Sequence, residues 1–145
     1  DLQPVIDQAI NAIQSEIRDY NVEIETQWSG EDATPLQMNP LRLSLAIRNL
    51  LSNACRHAPN SKVLLQIKFF ENEVTLSIRD KGEGIPPKMV NRIFEPFVST
   101  VEEGHGLGLA LVQQVVQEHN GIVRAQNLSD GCEFRMIIPI HQSKS

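Results

Sequence analysis

Polar side chains recur along one side of a helix that the sequence predicts near the middle of the chain. Asn49, Asn53 and His57 follow one another at intervals of four residues, and Arg56 lies one position from that line. At helical spacing these four groups form a single stripe. Solvated helix faces favour Glu and Lys, and Asn is a mediocre helix former. The stripe therefore indicates either a functional surface or side chains that satisfy buried backbone groups.

A carboxylate interrupts an apolar alternation further along the chain. Every second residue of a predicted strand points inward, and the next residue in phase is Asp80; the apolar residues before it are Val74, Leu76 and Ile78. An unpaired buried carboxylate is costly, so Asp80 needs a hydrogen-bond donor. Gly82 and Gly84 follow it and allow the backbone to turn sharply and to approach another group closely. The alternative is an ordinary Asx-turn that leads into a helix.

Three further glycines lie where a loop runs into a helix. Gly104, Gly106 and Gly108 alternate with His105 and Leu107. Glycines at a helix entry leave backbone N–H groups exposed, and these groups together with the helix dipole attract an anion. The G-x-G-x-G spacing after a loop differs from the G-x-G-x-x-G of a dinucleotide-binding strand–helix turn. The alternative is a flexible loop before the helix.

These features come in an order that resembles the ATP-binding catalytic domain of sensor histidine kinases, within the superfamily that includes gyrase B, Hsp90 and MutL. Residues 48–57 resemble the N box of that family, 80–86 its D-x-G-x-G-I-P box, 93–97 its F box and 104–109 its second glycine box. The resemblance covers nearly the whole chain. It implies a Bergerat-type fold with ATP and Mg²⁺ as ligands.

The resemblance also implies a role for each member of the stripe. Asn53 is expected to give its side-chain oxygen to a Mg²⁺ ion that bridges the phosphates, because a hard cation prefers oxygen ligands. Asn49 faces the same phosphates, and Arg56 pairs with phosphate oxygens. These three residues are the expected catalytic set. His57 lies against the adenine or the ribose, or else packs at the end of the helix.

For the base, the resemblance implies that Asp80 accepts a hydrogen bond from the exocyclic amine of adenine. Guanine carries a carbonyl at that position, so a carboxylate there selects adenine. Gly82 and Gly84 give the base room, and Ile85 of the same box is expected to line the site.

For the phosphates, the resemblance implies a backbone cradle and a lid. The cradle consists of Gly104, Gly106, Leu107, Gly108 and Leu109. The loop 97–104 is the expected lid, with Phe94 and Phe97 as its apolar anchor, although both residues also suit core packing. His105 either contacts a phosphate or lies exposed on the lid.

The residue type at position 49 distinguishes an ATPase from a histidine kinase. ATPases of the gyrase B and Hsp90 type carry a water-activating Glu four residues before the metal-binding Asn, and an amide cannot act as a general base at neutral pH. A histidine kinase needs no such base, because its nucleophile is an imidazole and catalysis is mostly positioning and charge neutralisation. The sequence therefore favours a kinase. An ATP-hydrolysing conformational switch and a non-catalytic nucleotide-binding module remain as alternatives.

The elements that position these residues follow from hydrophobic periodicity. Helices are predicted over 4–18, 41–58, 86–93 and 107–118, and strands over 22–27, 62–70, 74–79, 122–126 and 132–140. Helices and strands are partly segregated along this order. The pattern predicts one α/β domain over 1–145, a two-layer α/β sandwich with a mixed, mainly antiparallel sheet of about five strands on three helices. Residues 1–20 supply the N-terminal helix and 141–145 a frayed tail.

Composition limits the partners. The 145 residues carry a net charge of −5, and no basic run points to nucleic acid. Any bound phosphate must therefore be held by backbone amides, a metal ion or one or two cations. Cys55 and Cys132 lie in apolar patterns and are predicted to be reduced, packed thiols. No apolar run approaches the length of a membrane span.

The phosphoacceptor is expected outside this sequence. None of the four histidines lies early on a long helix before an acidic residue. The resemblance then implies an acceptor histidine on an N-terminal dimerisation domain, a homodimer in the full-length protein, a response regulator as partner and a cytoplasmic location. Membrane attachment is expected only through upstream segments. The isolated chain is expected to bind Mg-ATP without phosphorylating itself.

Overall fold

The structure, a computed structural model, describes residues 1–30, 38–85, 94 and 106–140. These residues form a two-layer α/β sandwich in which helices cover one face of a five-stranded sheet, which confirms the predicted fold class. The elements are α1 (Leu2–Ala12), α2 (Gln14–Asp19), β1 (Glu23–Ser29), α3 (Pro40–His57), β2 (Lys62–Phe69), β3 (Glu73–Asp80), α4 (Gly106–Glu118), β4 (Ile122–Leu128) and β5 (Gly131–Pro139). The predicted helix over 86–93, the lid and the tail lie outside the described residues.

The sheet is mixed, with strand order β1-β2-β3-β5-β4. Strands β1 and β2 run parallel, and the other three pairs are antiparallel. Strand β3 is therefore central, and its inward residues are fully buried, as the alternation predicts. At the end of this strand Asp80 pairs in register with Cys132 on β5. The register places Asp80 at the end of the central strand, beside β5.

Helix α3 is the long helix on which the polar stripe lies. Its first turn is capped by the side chain of Asn39, which accepts a hydrogen bond from the backbone N–H of Arg42 at 3.1 Å, and Pro40 is the first helical residue. The helix ends at His57, two residues before Pro59. Its apolar face is buried against the sheet through Leu43, Ile47, Leu50, Leu51 and Ala54.

Two contacts join the start of α3 to the end of α4. Arg42 donates two hydrogen bonds to the Glu118 carboxylate, at 3.0 and 2.6 Å. The buried ring of His119 accepts a hydrogen bond on Nε2 from the backbone N–H of Asn39 at 3.0 Å. Its Nδ1 lies 2.8 Å from the carbonyl oxygen of Val115, so Nδ1 carries the proton of a neutral ring. These contacts set the position of α4, whose first turn carries part of the glycine box.

The N-terminal segment differs from the single helix predicted over 4–18. It forms two helices, because the backbone leaves the helical conformation at Ile13, which has φ −115° and ψ 24°. Neither Gly nor Pro lies there, and the Ile13 side chain is buried in the core at 1% exposure. Core burial of Ile13 thus accompanies the break, and α2 packs against α3.

None of the described helices combines the length and the apolar character that crossing a membrane requires. Cys55 and Cys132 are both buried and unbridged, as predicted.

We expect Leu50→Ala to lower the free energy of unfolding by about 2–5 kcal/mol, because it leaves a cavity between α3 and the sheet. Leu41→Ala on the same helix is the matched control. Leu41 is 71% exposed, and its truncation should change the stability by at most about 0.5 kcal/mol. Urea denaturation of both variants measures the difference, and equal losses would contradict the placement of the helix faces.

Candidate functional site

The end of α3 and the end of β3 meet at one edge of the sandwich. Gly82 lies so close to the last residue of α3 that a Cβ there would overlap the carbonyl oxygen of His57 and come within 3.2 Å of Asp80 Oδ1. Only a glycine fits between the helix end and the strand end. The polar stripe and the inward carboxylate, which the sequence separates by more than twenty residues, therefore belong to one region.

Asp80 is the buried acid of this region, with 5% of its surface exposed. Its Oδ1 accepts a hydrogen bond from the backbone N–H of Gly82 at 2.9 Å. Burial raises the pKa of the carboxyl above its ordinary value, while the Gly82 N–H and the nearby His57 ring act in the opposite direction. The Asx-turn alternative is thus present in the structure. It engages one carboxylate oxygen, and adenine recognition by Asp80 stays a prediction.

The two amides of the stripe differ in exposure. Asn53 is buried, with 7% of its surface exposed, whereas Asn49 one turn earlier is half-buried. Neither amide makes a hydrogen bond within the described ranges, so no described backbone group there accounts for them. The amide of Asn53 is thus not engaged by the described protein groups, which fits the prediction that it binds a ligand.

Arg56 has a protein partner on its own helix. Its guanidinium Nη1 donates to Ser52 Oγ at 2.7 Å, and its Nε is buried without a hydrogen bond to any residue that the structure describes. Ser52 Oγ donates in turn to Oε2 of Glu16 on α2 at 3.2 Å. No sequence pattern indicated this contact. Pairing of Arg56 with phosphate stays a prediction.

A side chain that the sequence analysis missed holds the glycine turn after Asp80. The Asn127 amide accepts from the Ile85 backbone N–H at 2.7 Å and donates to the Ile85 carbonyl oxygen at 2.8 Å. Gly84, with φ +88°, lies against the same amide, where a Cβ would be 2.7 Å from Asn127 Oδ1. Asn is uncommon in strands, so an Asn near the end of β4 was the only feature of the sequence that could have drawn attention to this residue.

The other predicted site residues are only partly described. Phe94 is half-buried and makes an edge-to-face contact with Phe134, with ring centroids 6.0 Å apart, so it does pack against the core. Ile85 and Leu109 also pack against the core. Gly106, Leu107 and Gly108 form the first turn of α4, described by their backbone alone. Phe97, Gly104 and His105 lie outside the described residues.

The donor set fits a magnesium ion that is held together with phosphates. In the described part of the chain no three His, Cys, Asp or Glu side chains cluster as a metal site, so no protein cage for a cation is seen there. Asn53 offers one neutral oxygen, which suits a cation that keeps several waters and substrate oxygens.

A cavity of about 290 Å³ opens on the helix-free face of the sheet, beside Arg79 and Lys81. Asp80 is among the residues that line it, but Asn53 and His57 are not, and we do not assign the nucleotide to it.

Comparison with known proteins identifies the family to which the chain belongs. Residues 38–142 match the family described as histidine kinase-, DNA gyrase B- and HSP90-like ATPase. The alginate biosynthesis sensor protein KinB of Pseudomonas aeruginosa is 36% identical over 130 residues, which cover 86% of this chain and 21% of that protein.

Solved structures give the same result. The mycobacterial sensor histidine kinase MprB is 30% identical, with a TM-score of 0.81, over 96% of this chain and 94% of that one. Full-length ShkA in complex with AMPPNP is 26% identical, with a TM-score of 0.83, over 100% of this chain and 31% of that one. The chain spans about a fifth to a third of the length of the curated relatives, with shares of 21%, 28% and 30%.

The raised pKa of Asp80 predicts a pH-dependent stability difference between the native chain and Asp80→Asn. The folded state binds a proton at this site more readily than the unfolded state, so the ionised carboxylate costs stability at neutral pH. We expect the variant to melt at a higher temperature near neutrality. The difference should shrink as the pH falls through the raised pKa and vanish below the ordinary value of 3.8. Thermal melts across this range measure it, and a difference independent of pH would contradict the assignment.

Asn127→Ala should release the turn after Asp80, because it removes both hydrogen bonds to Ile85. We expect faster hydrogen exchange at the Ile85 amide and a loss of roughly 0.5–1.5 kcal/mol in stability, given the exposure of the pair. Gln126→Ala, the neighbouring exposed residue on β4, is the control. Unchanged exchange at Ile85 in Asn127→Ala would show that the turn does not depend on this amide.

Proposed function

Because the chain belongs to the histidine kinase-, DNA gyrase B- and HSP90-like ATPase family, we propose that it is the ATP-binding catalytic domain of a two-component sensor histidine kinase. The observation that carries the proposal is the meeting of the α3 end with the β3 end at Gly82. It brings the buried amide of the stripe and the buried acid to one edge of the fold. The AMPPNP in the similar ShkA supports an adenine nucleotide as the ligand.

Adenine recognition is assigned to Asp80. Its Oδ1 is engaged by Gly82 N–H at 2.9 Å, which orients the carboxylate and leaves Oδ2 to accept from the exocyclic amine of the base. In a site with 5% exposure a mismatched acceptor is costly, so guanine is disfavoured. Gly82 and Gly84 keep the backbone clear of side chains beside the base.

Phosphate binding is assigned to α3 and the start of α4. Asn53 holds the magnesium ion, Asn49 and Arg56 contact the phosphates, and the N-terminal turn of α4 adds backbone N–H groups and its dipole. When bound, Mg²⁺ neutralises charge on the β- and γ-phosphates. The protein's part in the reaction is to orient the γ-phosphoryl group for in-line attack and to exclude water from it.

Phosphotransfer to a histidine, rather than hydrolysis, follows from Asn49. An amide at this position cannot take a proton from water, so the site lacks the general base of the related ATPases. The proposed nucleophile is an imidazole on a separate dimerisation domain, from which a response regulator receives the phosphoryl group. Hydrolysis by a conformational switch is the second candidate, and a steady-state ATPase assay distinguishes it.

The decisive experiment mixes the chain with Mg-ATP and purified acceptor domains, including that of KinB. The proposal predicts acid-labile, base-stable phosphohistidine on an acceptor and none on the chain alone. Label on the isolated chain, or rapid phosphate release without an acceptor, would contradict it. As a control, an Asn49→Glu variant shows whether a carboxylate at this position introduces ATP hydrolysis.

Two substitutions test the assigned roles. Asp80→Asn should weaken adenine nucleotide binding by roughly 1–3 kcal/mol, because the new amide donor faces the base amine. Asn53→Ala should abolish phosphotransfer, and its loss of ATP affinity should depend on Mg²⁺. Calorimetric titration with and without magnesium measures both effects. A change of only a few tenths of a kcal/mol in Asp80→Asn would remove Asp80 from the site.

A further inference from the structure

We propose that Ser52 and Glu16 are positioning residues for Arg56, so that helix α2 determines how the guanidinium meets the nucleotide phosphates. The inference rests on the proposed function, because it takes a phosphate as the ligand of Arg56. It adds two residues from outside the motifs, one of them on a different helix.

The contacts form a directed chain of hydrogen bonds. Arg56 Nη1 donates to Ser52 Oγ at 2.7 Å, and Ser52 Oγ donates to Glu16 Oε2 at 3.2 Å. A guanidinium has no acceptor and an ionised carboxylate has no donor. The single hydroxyl proton of Ser52 must therefore point to Glu16, which turns the hydroxyl lone pairs toward Arg56. Ser52 is 8% exposed, so water competes little for these bonds.

This arrangement orients Arg56 without neutralising it. A guanidinium is planar and rigid, so anchoring Nη1 limits the positions that Nε and Nη2 can take. Among the described carboxylates none lies within salt-bridge distance of Arg56; Glu16 is linked only through the hydroxyl. The positive charge stays available to a ligand. Buried Nε likewise finds no hydrogen-bond partner in the part of the chain that the structure describes.

The pKa of the neighbouring Cys55 thiol is affected by the two charged residues of the same cluster. The pKa of the buried Cys55 thiol is raised to about 11, mainly by burial and also by the negative charge of Glu16, while Arg56 acts in the opposite direction. Both charges therefore lie near a fully buried group, where electrostatic interactions are screened less than at the surface. A hydrogen bond to a charged group in such surroundings is stronger than one in water.

Because of the break at Ile13, Glu16 belongs to a separate short helix, and the cluster links that helix to α3. Helix α2 begins after the break and packs against α3, and Glu16 lies in its first turn. A shift of α2 relative to α3 would lengthen the bond at Ser52, which is adjacent to Asn53. The N-terminal segment is thus coupled to the phosphate end of the site through one hydroxyl group.

The test compares ATP with adenosine, because Arg56 can act only on the ligand that carries phosphates. In the presence of Mg²⁺, Arg56→Gln should lower the affinity for ATP and leave that for adenosine unchanged. Ser52→Ala and Glu16→Ala should each lower the ratio of ATP to adenosine affinity by roughly threefold to tenfold. Neither should lower it further in the Arg56→Gln background. Glu16→Gln, which keeps an acceptor, should retain part of the ratio.

Ser44→Ala is the matched control, since Ser44 is another buried serine of α3, at 6% exposure, two turns before Ser52. It should leave the ratio unchanged. If Arg56→Gln lowers the ratio but Ser52→Ala and Glu16→Ala do not, the inference is wrong and the proposed phosphate role stands. If Arg56→Gln leaves the ratio unchanged, the phosphate role of Arg56 fails, and the inference fails with it. If Ser52→Ala does not fold, the Glu16→Ala variant tests the inference, because Glu16 is partly exposed.

Discussion

The candidate site depends on one close contact: the Gly82 backbone lies against the last carbonyl group of α3. The contact brings the end of the central strand against the end of the longest helix, and any side chain at residue 82 would separate them. Asp80 is buried because the two ends meet, and its carboxylate must then take a donor from the turn itself. The raised pKa of Asp80 is the electrostatic consequence of the same approach. The site is thus less stable than an apolar edge would be, a cost that functional sites commonly carry.

Most of the fold, including the helix and the strand end that carry the candidate site, could be predicted, because the signals were local. The apolar period of α3, its Asn39 cap and the proline after its end lie within one stretch of 21 residues, from 39 to 59, and the inward position of Asp80 follows from strand alternation alone. The break at Ile13 could not be predicted, since no Gly or Pro marks it and it coincides with packing of one isoleucine in the core. Periodicity continues through that position.

The contacts that support the site were missed for a related reason. Asn127 binds Ile85 across 42 residues of sequence, and Ser52 meets Glu16 across 36. Each is an ordinary polar residue whose partner is set by sheet register or by helix packing. Motifs identify the residues that touch a ligand, whereas residues that hold those motifs in place have no fixed spacing from them. Side chains of the second kind become visible only when the tertiary fold is known.

The two sets of supporting contacts hold different parts of the candidate site. Asn127 holds the turn on the proposed adenine side through two hydrogen bonds to the backbone, and Ser52 with Glu16 holds a side chain on the proposed phosphate side. The adenine side is therefore tied to the sheet, whose strands are paired along their length, and the phosphate side is tied to the short helix α2. A six-residue helix that follows a break moves more easily than a strand in a sheet. Changes in the N-terminal segment should for this reason alter phosphate contacts before they alter recognition of the base.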